Sequence, residues 1–224
     1  MTAGPHVFGD GRIGCWFIEN SGFTSKLRDR LPKVAALGVT DIFLPPSAVL
    51  SDKALVREAG LFAALYELPP AGRGSAEYAQ AALDDVRRLG MGALELNIEG
   101  VADDKLSAYV RDVVARIRKI KPALRLRINV VPFKGAYLPA DLFVSDPQFF
   151  VIVQAYTGNM DARVAEDEIV REVVDYGIPR EKVSVMYAAH CAPREGMDRA
   201  PSLPKIRFRG SIYSDDLLGA GGYI

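Results

Sequence analysis

Eight short apolar runs rich in β-branched and aromatic residues punctuate this chain: RIGCWFI (12–18), TDIFL (40–44), LFAALY (61–66), ALELNIE (93–99), LRLRINVV (124–131), FFVIVQAY (149–156), KVSVMYAA (182–189) and FRGSIYS (208–214). Longer stretches separate them, with helix candidates at about 25–37, 52–59, 74–90, 102–121 and 160–177. The third and fourth repeat their apolar residues at helical spacing: Ala79, Leu83 and Val86, then Leu106, Val110, Val113 and Ile117. Strand and helix in alternation demand a parallel sheet, because parallel neighbours can be joined only by a crossover and a helix is the usual one. Eight such units in 224 residues predict an α/β fold of the compact (β/α)8 TIM-barrel type. Nothing in the sequence reads as a linker or repeat, so a single domain over 1–224 is expected. Proline punctuates PFKGAYLPADLFVSDPQ after the fifth run and CAPREGMDRAPSLPK after the seventh, which leaves room only for short or irregular helices there. DDLLGAGGYI, after the eighth, is too short for a full covering helix. An outer wall left bare at that point would suit a contact with another copy or a larger assembly.

Composition narrows the partners. Lys plus Arg number 28 and Asp plus Glu 28, so no basic excess exists to displace counterions from a nucleic acid. No apolar run approaches the length of a membrane span, and MTAGPHVFGDGR lacks the basic-then-apolar order of a secretory signal. The sequence thus predicts no membrane insertion, and a cytoplasmic place unless export follows another route. His6 and His190 stand alone, outside any zinc-ligand spacing. No metal or other cofactor is expected, though a carboxylate-only Mg²⁺ or Ca²⁺ site at the barrel rim stays permitted. Cys15, inside an apolar run, reads as a core thiol; Cys191 has no metal-ligand partner at the right spacing. GRGS at 72–75 reads as a loop entering a helix, and GAGGYI at the end as a tail, in preference to phosphate cradles.

A parallel barrel carries its chemistry where the strands end. Polar residues gather there: Glu19 and Asn20, Tyr66 and Glu67, Asn97 and Glu99, Gln154 and Tyr156, then Tyr213, Ser214, Asp215 and Asp216. Strand four is the most informative. Leu94, Leu96 and Ile98 alternate with Glu95, Asn97 and Glu99, so one face should meet the helices and the other the barrel interior. Glu95 is deepest and needs a partner, expected to be Arg125 or Arg127 of the fifth run, because an unpaired buried carboxylate costs several kcal/mol. Glu99 lies nearest the mouth, where partial desolvation raises a carboxyl pKa toward the range of a general acid. Spacing alone leaves open whether Asn97 and Glu99 are catalytic or ordinary rim residues. A second carboxylate for a classical glycosidase pair is available at Glu19, Glu67, Asp215 or Asp216.

The segment GALELNIE (92–99) resembles strand four of glycoside hydrolase family 18, the chitinases and endo-β-N-acetylglucosaminidases, which carry D-x-x-D-x-D-x-E on a TIM barrel. Aligned on Glu99, the three aspartate positions fall on Gly92, Glu95 and Asn97, and all three depart from the pattern. The Asn-x-Glu ending is similar to that of the family 85 endo-β-N-acetylglucosaminidases. This resemblance implies a substrate-assisted glycosidase acting on N-acetylated sugars, with Glu99 as acid/base, Asn97 orienting the acetamido group and Tyr156 assisting. VIVQAY and RGSIYSDD, by the same resemblance, supply Gln154 and Tyr213 to the sugar site. Trp16, Glu19, Tyr66, Glu67 and Asp215 complete the expected carbohydrate-binding set. The departures at the aspartate positions support an alternative, a catalytically inactive barrel that binds a glycan or a protein partner.

Overall fold

The computed structural model describes residues 14–17, 23–36, 39–67, 70–98, 100–131, 134–154, 171, 173–186 and 222–223. Its elements follow in the order β1 (Gly14–Phe17), α1 (Phe23–Ala36), β2 (Asp41–Leu44), α2 (Leu50–Glu58), β3 (Phe62–Glu67), α3 (Ser75–Leu89) and β4 (Ala93–Asn97). After these come α4 (Asp103–Ile120), β5 (Arg125–Val130), α5 (Ala140–Ser145), β6 (Phe149–Gln154), β7 (Val183–Met186) and β8 (Gly222–Tyr223). Strands β1 to β7 pair in sequence order and all in parallel. This is the α/β TIM-barrel arrangement that the alternation of runs predicts. α5 is a six-residue helix, as the prolines around it require. The expected strand at 208–214 and most of the helix expected at 160–177 lie outside the described residues. The short β8 runs antiparallel to β1, with Trp16 opposite Tyr223.

Two cores of unequal size follow from the alternation. Leu94 and Leu96 of β4 and Ile98 just after it, with Leu126, Ile128 and Val130 of β5, point outward into the large apolar layer beneath the helices. That layer takes the Ala79, Leu83 and Val86 stripe of α3 and the Leu106, Val110, Val113 and Ile117 stripe of α4, so both helices bury the faces their spacing marks out. The opposite strand face lines the barrel interior, where, among the described residues, Phe43, Ala64, Ala93 and Ile152 form an apolar cluster with Tyr66 packed against it. Gly14 belongs to this inner region: a Cβ there would collide with the Phe43 ring. Among the described residues no helix is long and apolar enough to cross a membrane.

α3 ends at Gly90, which takes a left-handed conformation (φ 61°) and donates its N–H to the carbonyls of Arg87 and Val86. The Lys53 ammonium caps the same end by donating to the carbonyls of Leu89 and Gly90, at 2.9 and 2.6 Å. This geometry sets where β4 begins. Substituting Gly90→Ala forces an L-residue into positive φ, and a loss of about 1 kcal/mol is expected, read in thermal unfolding as a Tm drop of roughly 2–4 °C.

Candidate functional site

The interior of the barrel is built in layers by strand register. Glu95 of β4 stands level with Tyr66 of β3 and Arg127 of β5. One layer nearer the carboxyl ends, Asn97 stands level with Asn129, and Asn129 with Ile152 of β6. The deeper interior is charged and sealed: Asp41 and Glu95 are fully buried and Arg127 nearly so. Arg127 is level with Glu95 on the neighbouring strand, but the ion pair it makes is with Asp41: its side chain runs over the Phe43 ring (5.3 Å to the centroid) to reach that carboxylate at 3.4 Å. Glu95 accepts a hydrogen bond from Asn129 Nδ2 at 2.8 Å. Both carboxylates thus belong to a charged floor held inside the barrel, and Glu95 serves the structural role its depth implies.

Asn97 sits on top of that floor and is fixed from two sides. Its backbone carbonyl accepts from the Tyr78 hydroxyl of α3 at 2.9 Å. Its side-chain Nδ2 donates to the Tyr66 hydroxyl at 2.8 Å. Burial, with the Glu67 charge adding to it, pushes the Tyr78 hydroxyl well above its ordinary pKa. That phenol consequently stays protonated, and remains a donor, at any pH the fold meets. Beyond Asn97, Ile98 N donates to the carbonyl of Asn129 (3.4 Å), and Val101 N donates back to the carbonyl of Ile98 (3.3 Å). Gly100, at φ 83°, supplies the left-handed residue that such a tight turn needs. Lys134, in the segment after β5, ties the far end down by donating to the Val101 carbonyl at 2.9 Å while pairing with Asp103 at 2.9 Å. The loops leaving β4 and β5 are thereby joined at the rim.

Of the residues singled out in the sequence, Asn97 and Tyr66 are brought into direct contact. Glu67 is level with Leu96, hence on the helix side of β3, where it is buried near Tyr78. Trp16 and Gln154 occupy β1 and β6 as backbone positions. Glu99, Tyr156, Glu19, Tyr213 and Asp215 lie outside the described residues, and so do His190 and Cys191. Sequence reasoning missed two contributors. Asp41 alternates with Phe43 and was open to discovery by the same period-two argument applied to strand four. Tyr78 lies on a helix, and nothing in its spacing reveals that its hydroxyl reaches a strand carbonyl. Among the described residues no group of three or more His, Cys, Asp or Glu could hold a metal ion.

The charged floor makes a direct prediction. Replacing Arg127 by Met removes the cation paired with the buried Asp41, and stability should fall by about 3–5 kcal/mol in denaturant titration.

No protein-family model matches the sequence, and comparison with curated proteins finds no match either. Solved structures do match by fold. A plant class V chitinase mutant from Cycas revoluta in complex with (GlcNAc)3 superposes with a TM-score of 0.58 at 14% identity, covering 79% of this chain and 70% of that one. QR15, an aldolase, gives 0.57 at 14% identity and covers 79% of each chain. The Bacillus cereus spore cortex-lytic enzyme SleL gives 0.51 at 12% identity over 78% of this chain, which spans about half (49%) of that enzyme's length. The chain therefore has the TIM-barrel fold that family 18 chitinases also have.

Proposed function

We propose that this barrel is a glycoside hydrolase acting on glycans that contain N-acetylated sugars. The observation that carries the reading is Asn97, an amide on the interior face at the carboxyl end of β4, held in one orientation by Tyr66. It stands two residues before Glu99 in the Asn-x-Glu pattern. The fold supports it as well, since chitinases of this fold have been solved with GlcNAc oligomers.

In the proposed reaction the substrate's own acetamido oxygen attacks the anomeric carbon as the bond to the leaving oxygen breaks. Glu99 gives its proton to that oxygen, and Asn97 holds the acetamido group in line for attack. The resulting oxazolinium is opened by water, which loses a proton to the Glu99 carboxylate as its oxygen bonds to the anomeric carbon. Tyr156 assists at the acetamido group, while Trp16, Glu19, Gln154, Tyr213 and Asp215 are the proposed contributors to sugar binding; Glu67, turned to the helix side of β3 and buried there, drops out of the expected set.

A second reading, a barrel that binds a glycan or protein partner without turning it over, draws on a specific observation. Glu95, at one of the family's aspartate positions, is fully buried and hydrogen-bonded to Asn129, and Gly92 stands at another. The third position holds an amide that cannot ionise.

Wild type and Glu99→Gln, assayed against chitooligosaccharides, high-mannose glycopeptides and peptidoglycan with binding recorded in parallel, separate the two. Hydrolysis by wild type that falls by at least about a hundredfold in Glu99→Gln, with binding retained, is the expected result. Equal binding without turnover in both proteins would favour the second reading.

A further inference from the structure

We infer that Tyr78 and Lys134 are positioning residues: each holds a backbone carbonyl at one end of the rim segment 97–101, and together they restrain from both sides the segment to which Glu99 belongs. The kinetic half of the inference rests on the glycan reading above; the tethers themselves do not.

Successive residues of a strand in a parallel ladder turn their backbone groups to opposite neighbours. Ile98 N donates to the Asn129 carbonyl, so its groups face β5 and those of Asn97 face β3. The ladder between β3 and β4, however, ends with Glu67 opposite Leu96. Carried on in the same register, it would bring the nitrogen of residue 69 to the Asn97 carbonyl, and residue 69 is a proline, with no N–H to give. Tyr78 supplies the donor instead. It stands in the first turn of α3, fully buried, and its hydroxyl reaches the Asn97 carbonyl at 2.9 Å.

The helix end that carries Tyr78 is itself anchored. Ser75 Oγ donates to the Asp112 carboxylate of α4 at 2.6 Å, and the Tyr109 hydroxyl of α4 donates to the Arg73 carbonyl at 3.3 Å. At the other end of the segment, Lys134 donates to the Val101 carbonyl while pairing with Asp103 at the start of α4. α4 thus backs both tethers. Each acts on the backbone alone, so it can be cut without altering a side chain proposed to meet the sugar. Proton transfer by a positioned group depends steeply on placement, so loosening either end should slow the chemical step and leave sugar binding intact.

Tyr78→Phe, which keeps the ring and removes only the hydroxyl, and Lys134→Met test this in the whole protein. Asn97–Ile98 is the only Asn–Ile pair in the sequence, so carbonyl-¹³C asparagine combined with ¹⁵N isoleucine gives a single amide-to-carbonyl correlation, that of the Asn97 carbonyl. In Tyr78→Phe this carbonyl signal should move upfield. In both variants kcat on chitooligosaccharides should fall about tenfold with KM unchanged. A carbonyl signal that stays in place overturns the Tyr78 tether, whatever the protein does with sugars. A moved signal with wild-type kcat, or a loss confined to KM, overturns the positioning role of Tyr78, and wild-type kcat in Lys134→Met overturns that of Lys134. Wild type that hydrolyses no chitooligosaccharide overturns the kinetic half together with the glycan reading, and the carbonyl signal still decides the tether.

Discussion

Placing charge inside a parallel barrel is the constraint around which this interior is arranged. Asp41, Glu95 and Arg127 lie where most barrels put aliphatic layers, and each would be costly in isolation. They are tolerable because each finds a polar partner inside the barrel. Arg127 passes over the Phe43 ring to Asp41, and Glu95 takes an amide proton from Asn129. The few apolar side chains inside the barrel therefore act less as an independent core than as spacers between polar groups. Among the described residues the larger apolar cluster is on the other side of the sheet, under the helices. Division of labour between the two faces lets the interior hold a polar site without surrendering the fold.

The fold itself settles little about chemistry. An aldolase and chitinases superpose on this chain about equally well, as expected for an architecture that hosts many reactions. What separates candidate activities is the layer above the charged floor, where Asn97 is gripped by one tyrosine on its carbonyl and another on its amide. Both bonds satisfy polar groups that burial would otherwise leave unpaired.

Much of this was legible in the sequence because period-two alternation is a strong signal. The outward set Leu94, Leu96 and Ile98 and the inward set on β4 and β5 could be written down before any coordinates, and so could Arg127 beside Glu95. Contacts made by long side chains across elements could not. The reach of Arg127 down to Asp41 spans two layers, and Tyr78 joins a helix to a strand; neither has a local pattern to betray it. Glu67 shows the limit of proximity in sequence, since one residue separates it from Tyr66 yet alternation turns it to the helix side. Helix ends were legible to within a residue or two, because Gly90 marks a stop that few other residues can provide.

Gly14 looks like the least informative residue in the interior, but it governs the order in which the others can change. With no side chain, it leaves β1 a gap that the Phe43 ring occupies, and on that ring rests the guanidinium that answers Asp41. Any larger residue at position 14 must first displace the ring, and so must disturb the cation before it touches the acid. In a lineage of such barrels, substitutions at 14, 43, 127 and 41 would therefore be admitted only together or in a narrow sequence.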